Sequence, residues 1–186
     1  MTIRYPGLHS LLIVLLTAVV LTSGCSAPKK YIYTEIRIEA PPEAVWQVLA
    51  NNQRYPEWNP YHVRVDGELK EGNELEVEIH KPNGQQLVIH PHVMRIELHK
   101  RLDWGGGIGG IFTGKHSFRL YDISVENSEC VHTQLIQDET FAGIVLPFLE
   151  LDAIQEGYKA MNQALKKRVE TLAGCPQRLS EALING

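Results

Sequence analysis

Cysteine is scarce in this chain. Its 186 residues hold three, Cys25, Cys130 and Cys175. None is spaced as C-x-x-C, which excludes a thioredoxin-like dithiol and the paired thiolates of a zinc site. No H-E-x-x-H and no G-x-S-x-G occur, so zinc-peptidase and α/β-hydrolase chemistry lack their motifs. Basic clusters are missing as well. Lys+Arg number 18 against 22 Asp+Glu, a formal charge of −4, and no Arg-rich helix occurs, which argues against a nucleic-acid partner. There are no internal repeats and no long low-complexity segments. The run Gly105-Gly106-Gly107-Ile108-Gly109-Gly110 formally contains G-x-G-x-x-G. It joins two candidate strands instead of opening a helix, so it is not a dinucleotide loop. No cofactor is implied.

What is present begins at the N-terminus. Arg4 precedes the apolar run Leu11-Leu12-Ile13-Val14-Leu15-Leu16, and small residues follow before Cys25. That is the layout of a secretory signal, and the run is short against the ~20 residues of a spanning helix. Leu21-Thr22-Ser23-Gly24-Cys25 resembles the lipobox of bacterial lipoproteins, with Thr22 where Leu is commonest. The resemblance implies a signal peptide over 1–24, lipidation at Cys25 and attachment to the cell envelope. Ser26 stands where Asp would resemble the inner-membrane retention signal, so the outer membrane, facing the periplasm, is the expected location. Residues 25–30 read as a tether. Loss of Arg4 with the signal takes Lys+Arg from 18 to 17 against 22 acidic residues, a mature formal charge of about −5.

The rest reads as one domain over 31–174 followed by a tail over 175–186. Tyr31 to Ile38 alternates as a half-buried strand. Pro41-Pro42 opens a helix with Val45, Trp46 and Leu49 on its inner face, and Trp46 reads as core. Leu75, Val77 and Ile79 alternate with polar residues in another strand. Lys81-Pro82-Asn83-Gly84-Gln85 fits a three-residue turn with Gly84 in the left-handed position. It pairs Val77 with Ile89 and Ile79 with Leu87. His90 and His92 then face Glu76 and Glu74 on the outer surface, so the trio His80, His90 and His92 reads as exposed acid–imidazole pairs, not as a metal site. Further strands are expected near Arg101 to Trp104, Phe112 to Ile123 and Cys130 to Phe141. The glycine run reads as a mobile lip or a plain long turn, with Ile108 and Ile111 exposed. A long helix closes the chain, its inner stripe running Leu151, Ile154, Tyr158, Met161, Leu165, Val169, Leu172.

Two segments carry a family resemblance: Ile36-x-Ile38-x-Ala40-Pro41-Pro42-Glu43-x-Val45-Trp46, then Tyr55-Pro56-Glu57-Trp58-Asn59-Pro60. Together with Leu102-x-Trp104, Gly114-x-His116-x-Phe118 and Gln137-x-Glu139-x-Phe141-x-Gly143, they resemble the START-like SRPBCC superfamily, its polyketide cyclase/dehydrase and lipid-transport branch. The resemblance spans about Tyr31 to Leu172. It implies an α+β helix-grip fold: a curved antiparallel sheet wrapped around the C-terminal helix, with an internal cavity. A lipoprotein signal departs from the soluble, intracellular habit of that superfamily.

Side-chain parity locates the expected cavity wall. Phe112, Gly114, His116 and Phe118 share one face of their strand. Leu135, Gln137, Glu139 and Phe141 share one face of the next. A turn near Glu126-Asn127 would pair Phe118 with Leu135, His116 with Gln137 and Gly114 with Glu139, leaving His116 and Glu139 as diagonal neighbours. Three readings of this polar cluster stand: it orients a ligand, it forms an acid–base pair, or it satisfies itself. Trp58, with Tyr55 and Tyr61, either stacks on a ring-bearing ligand or caps the core, and Trp104 is open to the same two readings. The candidate ligand-binding set is therefore Trp58, Trp104, Phe112, His116, Phe118, Leu135, Gln137, Glu139, Phe141 and Tyr158.

Strand and helix lengths bear on the two later cysteines. The last strand advances ~37 Å and the helix returns ~36 Å, which would bring Cys175 back near Cys130. A disulfide between them is expected from these lengths, although Cys130 falls on the outer face. The function these observations favour is a membrane-tethered binder of a hydrophobic small molecule or lipid. A cyclase or dehydratase using His116 and Glu139 is the first alternative, and an envelope scaffold without ligand the second.

Overall fold

A computed structural model describes residues 28–126 and 130–174. Eight strands and two helices follow in chain order: β1 (Lys29–Ile38), α1 (Pro42–Leu49), β2 (His62–Asp66), β3 (Glu76–His80), β4 (Gln86–Ile89), β5 (His92–Glu97), β6 (Arg101–Ile108), β7 (Phe112–Asp122), β8 (Thr133–Ala142) and α2 (Leu151–Ala173). A 3₁₀ turn over Asn52–Glu57 links α1 to β2, and a shorter one precedes α2. Antiparallel pairing gives a five-stranded sheet in the order β1-β8-β7-β6-β5 and a three-stranded sheet β2-β3-β4. β4 and β5 are one run bent at His90-Pro91. The proline cannot donate a ladder hydrogen bond, but its carbonyl accepts from Leu75 N–H (2.8 Å) and keeps the sheets in step.

The strands curl around α2. Ile154, Tyr158, Met161, Leu165 and Val169 form its buried stripe, each contributing about 2 kcal/mol on burial. α1 seals the far end through Val45, Trp46 and Leu49. This is the helix-grip architecture of the START-like fold, α+β in class.

The β3–β4 hairpin has the expected register. Val77 pairs with Ile89 and Ile79 with Leu87, and Gly84 has φ of +86°. His90 and His92 each stand 3.7 Å from Glu76 and Glu74 on the outer surface.

Four local expectations are corrected. Lys29 and Lys30 are not tether: they extend β1 against Ala142 and Phe141, because the end of β8 needs main-chain partners whatever the side chains. Gly105, Gly106 and Gly107 are strand, not lip. A Cβ on Gly105 would lie 2.3 Å from the carbonyl oxygen of Gly114, so glycine is what lets the sheet curl this tightly. The β7–β8 register is displaced by two residues: His116 pairs with Glu139, Phe118 with Gln137 and Gly114 with Phe141. Inward parity survives, since only an odd slip exchanges faces. Lastly, Leu172 is exposed, beyond the part of α2 that the sheet covers.

Candidate ligand cavity

The concave wall and α2 leave a cavity of about 480 Å³ at one end of the grip, within the range of small-molecule sites. β6 supplies Trp104, β7 supplies Phe112, Gly114 and His116, β8 supplies Glu139 and Phe141, and α2 supplies Ile154 and Tyr158. The opposite side is made by Tyr61 and His62 at the start of β2 and by Ile79, Lys81 and Leu87 of the β3–β4 hairpin. Asn59 sets that corner: its Oδ1 accepts from the backbone N–H of both Tyr61 and His62 (3.0 Å each). Phe112 and Phe141 stack with centroids 5.8 Å apart and give the outer part of the cavity an aromatic wall.

One polar cluster lies in this wall. Tyr158 donates its hydroxyl hydrogen to Glu139 Oε2. The Tyr158 ring stacks on the imidazole of His116, centroids 4.6 Å apart and planes 19° from parallel. Trp104 Nε1–H donates to His116 Nδ1 (3.2 Å). The Gln137 carboxamide end lies 3.0 Å from His116 Nε2. An indole N–H only donates, so Nδ1 is an acceptor and the neutral ring carries its proton on Nε2. Gln137 must therefore meet Nε2–H with its oxygen.

Burial sets the charge states. His116 is held well below the ordinary imidazole range, first by desolvation and then by His62. His62 is driven down to about 3 by burial, and its Nδ1 has no hydrogen-bond partner. Burial raises Glu139 to about 7 despite the opposing bond from Tyr158. At neutral pH the cluster thus offers two uncharged imidazoles and a carboxyl poised between its two forms. Among the described residues, no group of three or more His, Cys, Asp or Glu is set to hold a metal ion.

The expected site residues separate into three groups. Trp104, Phe112, His116, Glu139, Phe141 and Tyr158 line the cavity. Phe118, Leu135 and Gln137 do not. They are fully buried behind it, in the half of the grip that α1 fills, and Gln137 acts only through His116. Trp58 lies elsewhere, edge-on to Tyr55, in a surface groove of about 560 Å³ between α1 and the end of α2. That larger groove shares no lining residue with the cavity. Sequence reading did not find His62. β2 has five residues, too few to show an alternation, although the adjacent Tyr61 belonged to a noticed aromatic cluster. Cys130 is disulfide-bonded, while Cys25 and Cys175 lie outside the described residues.

Residues 31–170 match the family model described as polyketide cyclase / dehydrase and lipid transport. No curated protein matches the sequence. Several solved structures share the fold. The Zhui aromatase/cyclase from Streptomyces sp. R1128 aligns with a TM-score of 0.62 at 14% identity, over 77% of this chain and 94% of its own. A START superfamily protein from Mycobacterium smegmatis gives 0.58 at 19% identity, over 77% and 99%. Norcoclaurine synthase of Thalictrum flavum, a point mutant bound to a transition-state analogue, gives 0.58 at 13% identity, over 78% and 97%. Identities this low speak for the fold alone. The family match covers most of the sequence and agrees with the helix-grip fold that these structures share, so the chain belongs to the polyketide cyclase/dehydrase and lipid transport family.

Proposed function

We propose that the protein binds a hydrophobic small molecule or lipid that carries one uncharged polar group, and holds it beside a bacterial membrane. The observation that carries this reading is an apolar cavity of about 480 Å³ with a single polar cluster in its wall. The cluster selects against charge. An anionic head group would lose its water and meet Glu139 with no fixed cation inside, since Lys81 stands at the mouth on the β3–β4 hairpin. A cation would find its counter-charge only once Glu139 ionises, around pH 7. A hydroxyl fits on both sides of pH 7, accepting from the protonated carboxyl below it and donating to the carboxylate above it, whereas a carbonyl is held only by the protonated form. The tethering half of the proposal rests on the lipobox-like Thr22-Ser23-Gly24-Cys25, with the outer membrane facing the periplasm as the proposed location.

Native mass spectrometry of the mature protein tests the binding half. A co-purifying hydrophobe released only on unfolding is the expected result. His116→Ala should weaken its retention without abolishing folding. A protein that never carries such a molecule, with variants that merely melt lower, would leave the scaffold reading.

A cyclase or dehydratase is the second reading, and one observation favours it. A buried carboxyl near pH 7 beside a tyrosine hydroxyl is suited to general acid–base work. His116 is not its partner, because both ring nitrogens are engaged by Trp104 and Gln137. Glu139→Gln separates the two readings: a binder keeps its ligand, whereas an enzyme keeps its ligand and loses turnover.

A further inference from the structure

Three segments bring residues to the cavity's outer part: the β3–β4 hairpin with Lys81, Leu87 and Val88, the β6–β7 hairpin with Gly107 and Phe112 at the foot of its tip, and the stretch before α2 with Leu149. Hydrogen bonds join them into one rim. Ile144 N–H reaches Gly110 O (3.2 Å) and Val145 N–H reaches Ile111 O (3.4 Å), while Asn83 Nδ2 donates to Glu150 Oε2 (2.6 Å). The rim is apolar and bare. Phe148 is 85% exposed, Ile108 and Ile144 65% each, and Val88 and Ile111 48% each. So many large apolar side chains around one opening mark an interaction surface.

The start of the domain says what covers it. Gly143 N–H donates to Pro28 O (3.1 Å), which fixes Pro28 at the base of the same rim. Cys25 stands three residues upstream, and three residues span at most roughly 10 Å. The exposed Lys29 and Lys30 follow at once, and Lys81 stands at the mouth. One acid, Glu150, stands on the same side, bonded to Asn83, against these three lysines. Bulky apolar fingers beside a few ammonium groups suit the boundary between acyl chains and anionic head groups.

We infer that this rim inserts into the bilayer leaflet that holds the lipid of Cys25, so that the cavity mouth faces the membrane directly. The inference rests on the tethered-binder reading. It adds that the ligand passes between leaflet and cavity without crossing water.

The test uses the mature lipidated protein in vesicles of phosphatidylethanolamine and phosphatidylglycerol. An NBD fluorophore is attached at Phe148→Cys or, as control, at Val125→Cys. Val125 is exposed beyond the opposite end of β7, which spans about 33 Å. NBD at 148 should brighten at least about twofold on reconstitution, as expected for transfer into the interface, and NBD at 125 should not. Adding Ile108→Asp should abolish the response at 148. Equal responses at the two positions overturn the inference. So does a response seen in native envelope membranes but not in protein-free vesicles, which would assign the rim to a protein partner. Native mass spectrometry on the same samples separates the two ideas. Docking without any retained hydrophobe sinks the binding reading alone, and a retained hydrophobe with equal responses sinks the docking alone.

Discussion

At Glu139, burial and hydrogen bonding pull in opposite directions, and burial wins. Its carboxyl titrates near 7 in the fold against an ordinary value of 4.5. The folded state therefore holds a proton that the unfolded chain has released across that window. By linkage, stability is full below about pH 4.5 and falls as pH rises through 7, then levels. The total loss is on the order of 2 kcal/mol once solvent reaching the cavity is allowed for. Thermal melts from pH 4 to 9 should show this decline in the wild type. Glu139→Gln, which keeps the shape and stays neutral, should remove it and melt higher than the wild type at pH 8. Parallel curves would place the proton elsewhere. His116 offers a second test. Its bonding fixes the Nε2–H tautomer, and burial favours the neutral ring well below the ordinary imidazole range. The ¹⁵N shifts of the ring should show that tautomer unchanged between pH 5.5 and 7.5. Trp104→Phe removes the donor to Nδ1; it should cost about 1–3 kcal/mol and let both tautomers appear.

Among the elements, α2 pays for one close contact with a glycine. Gly157 sits in mid-helix, where Gly costs about 1 kcal/mol relative to Ala. A Cβ there would lie 2.1 Å from Tyr61 Cδ2, and Tyr61 packs edge-on to Tyr158 at 5.4 Å. Gly157→Ala should therefore lower stability by about 2 kcal/mol, against its helix propensity. Denaturant melts check this, and Tyr61→Ala in the same chain should recover most of the helix-propensity gain. A stabilised single variant would show that Tyr61 swings away freely. How far each element could be read from sequence depended on its turn chemistry. Pro82, Asn83 and Gly84 specify one turn, so every pair of the β3–β4 hairpin was legible. The connection between β7 and β8 runs from Ile123, which pairs with His132, without a glycine or proline to set its length. Apolar alternation fixed which face was inward, but a slip of two residues keeps that face. His116 consequently lies beside Glu139 instead of diagonal to it. Three glycines misread as a loop have the same origin, because only the partner strand's carbonyls reveal why Gly105 and Gly107 must be bare.

For the molecule as a whole, parity identified the concave wall but could not say which half of it is hollow. Leu49 and Tyr55, both fully buried, fill one end, and Phe118 and Leu135 vanish behind them. That division is set by how α1 and the 3₁₀ turn pack, a long-range outcome with no local signal. The return of α2 was legible from length alone, and it bears on the cysteines. Glu170, near the end of α2, accepts from Glu39 N–H (2.8 Å). Ala40 O accepts from Thr133 Oγ1 (2.7 Å) at the start of β8. The helix thus ends beside the approach to Cys130, whose sulfur is already in a disulfide. We propose Cys175 as its partner, one residue beyond Gly174 in sequence, which leaves Cys25 for the proposed lipid. The bridge would close a loop from 130 to 175 and staple the gripped helix to the sheet. Loop-closure entropy sets its contribution at about 4 kcal/mol, on the order of 10 °C in Tm for a domain of this size. Non-reducing peptide mapping of the mature protein should return a 130–175 linked pair and no free thiol. Reduction, or Cys130→Ser with Cys175→Ser, should lower Tm by that amount while the ligand is still retained, because the staple lies at the end of the grip remote from the cavity. Two free thiols in oxidised material, or a ligand lost with the bridge in a protein that remains folded, would contradict this.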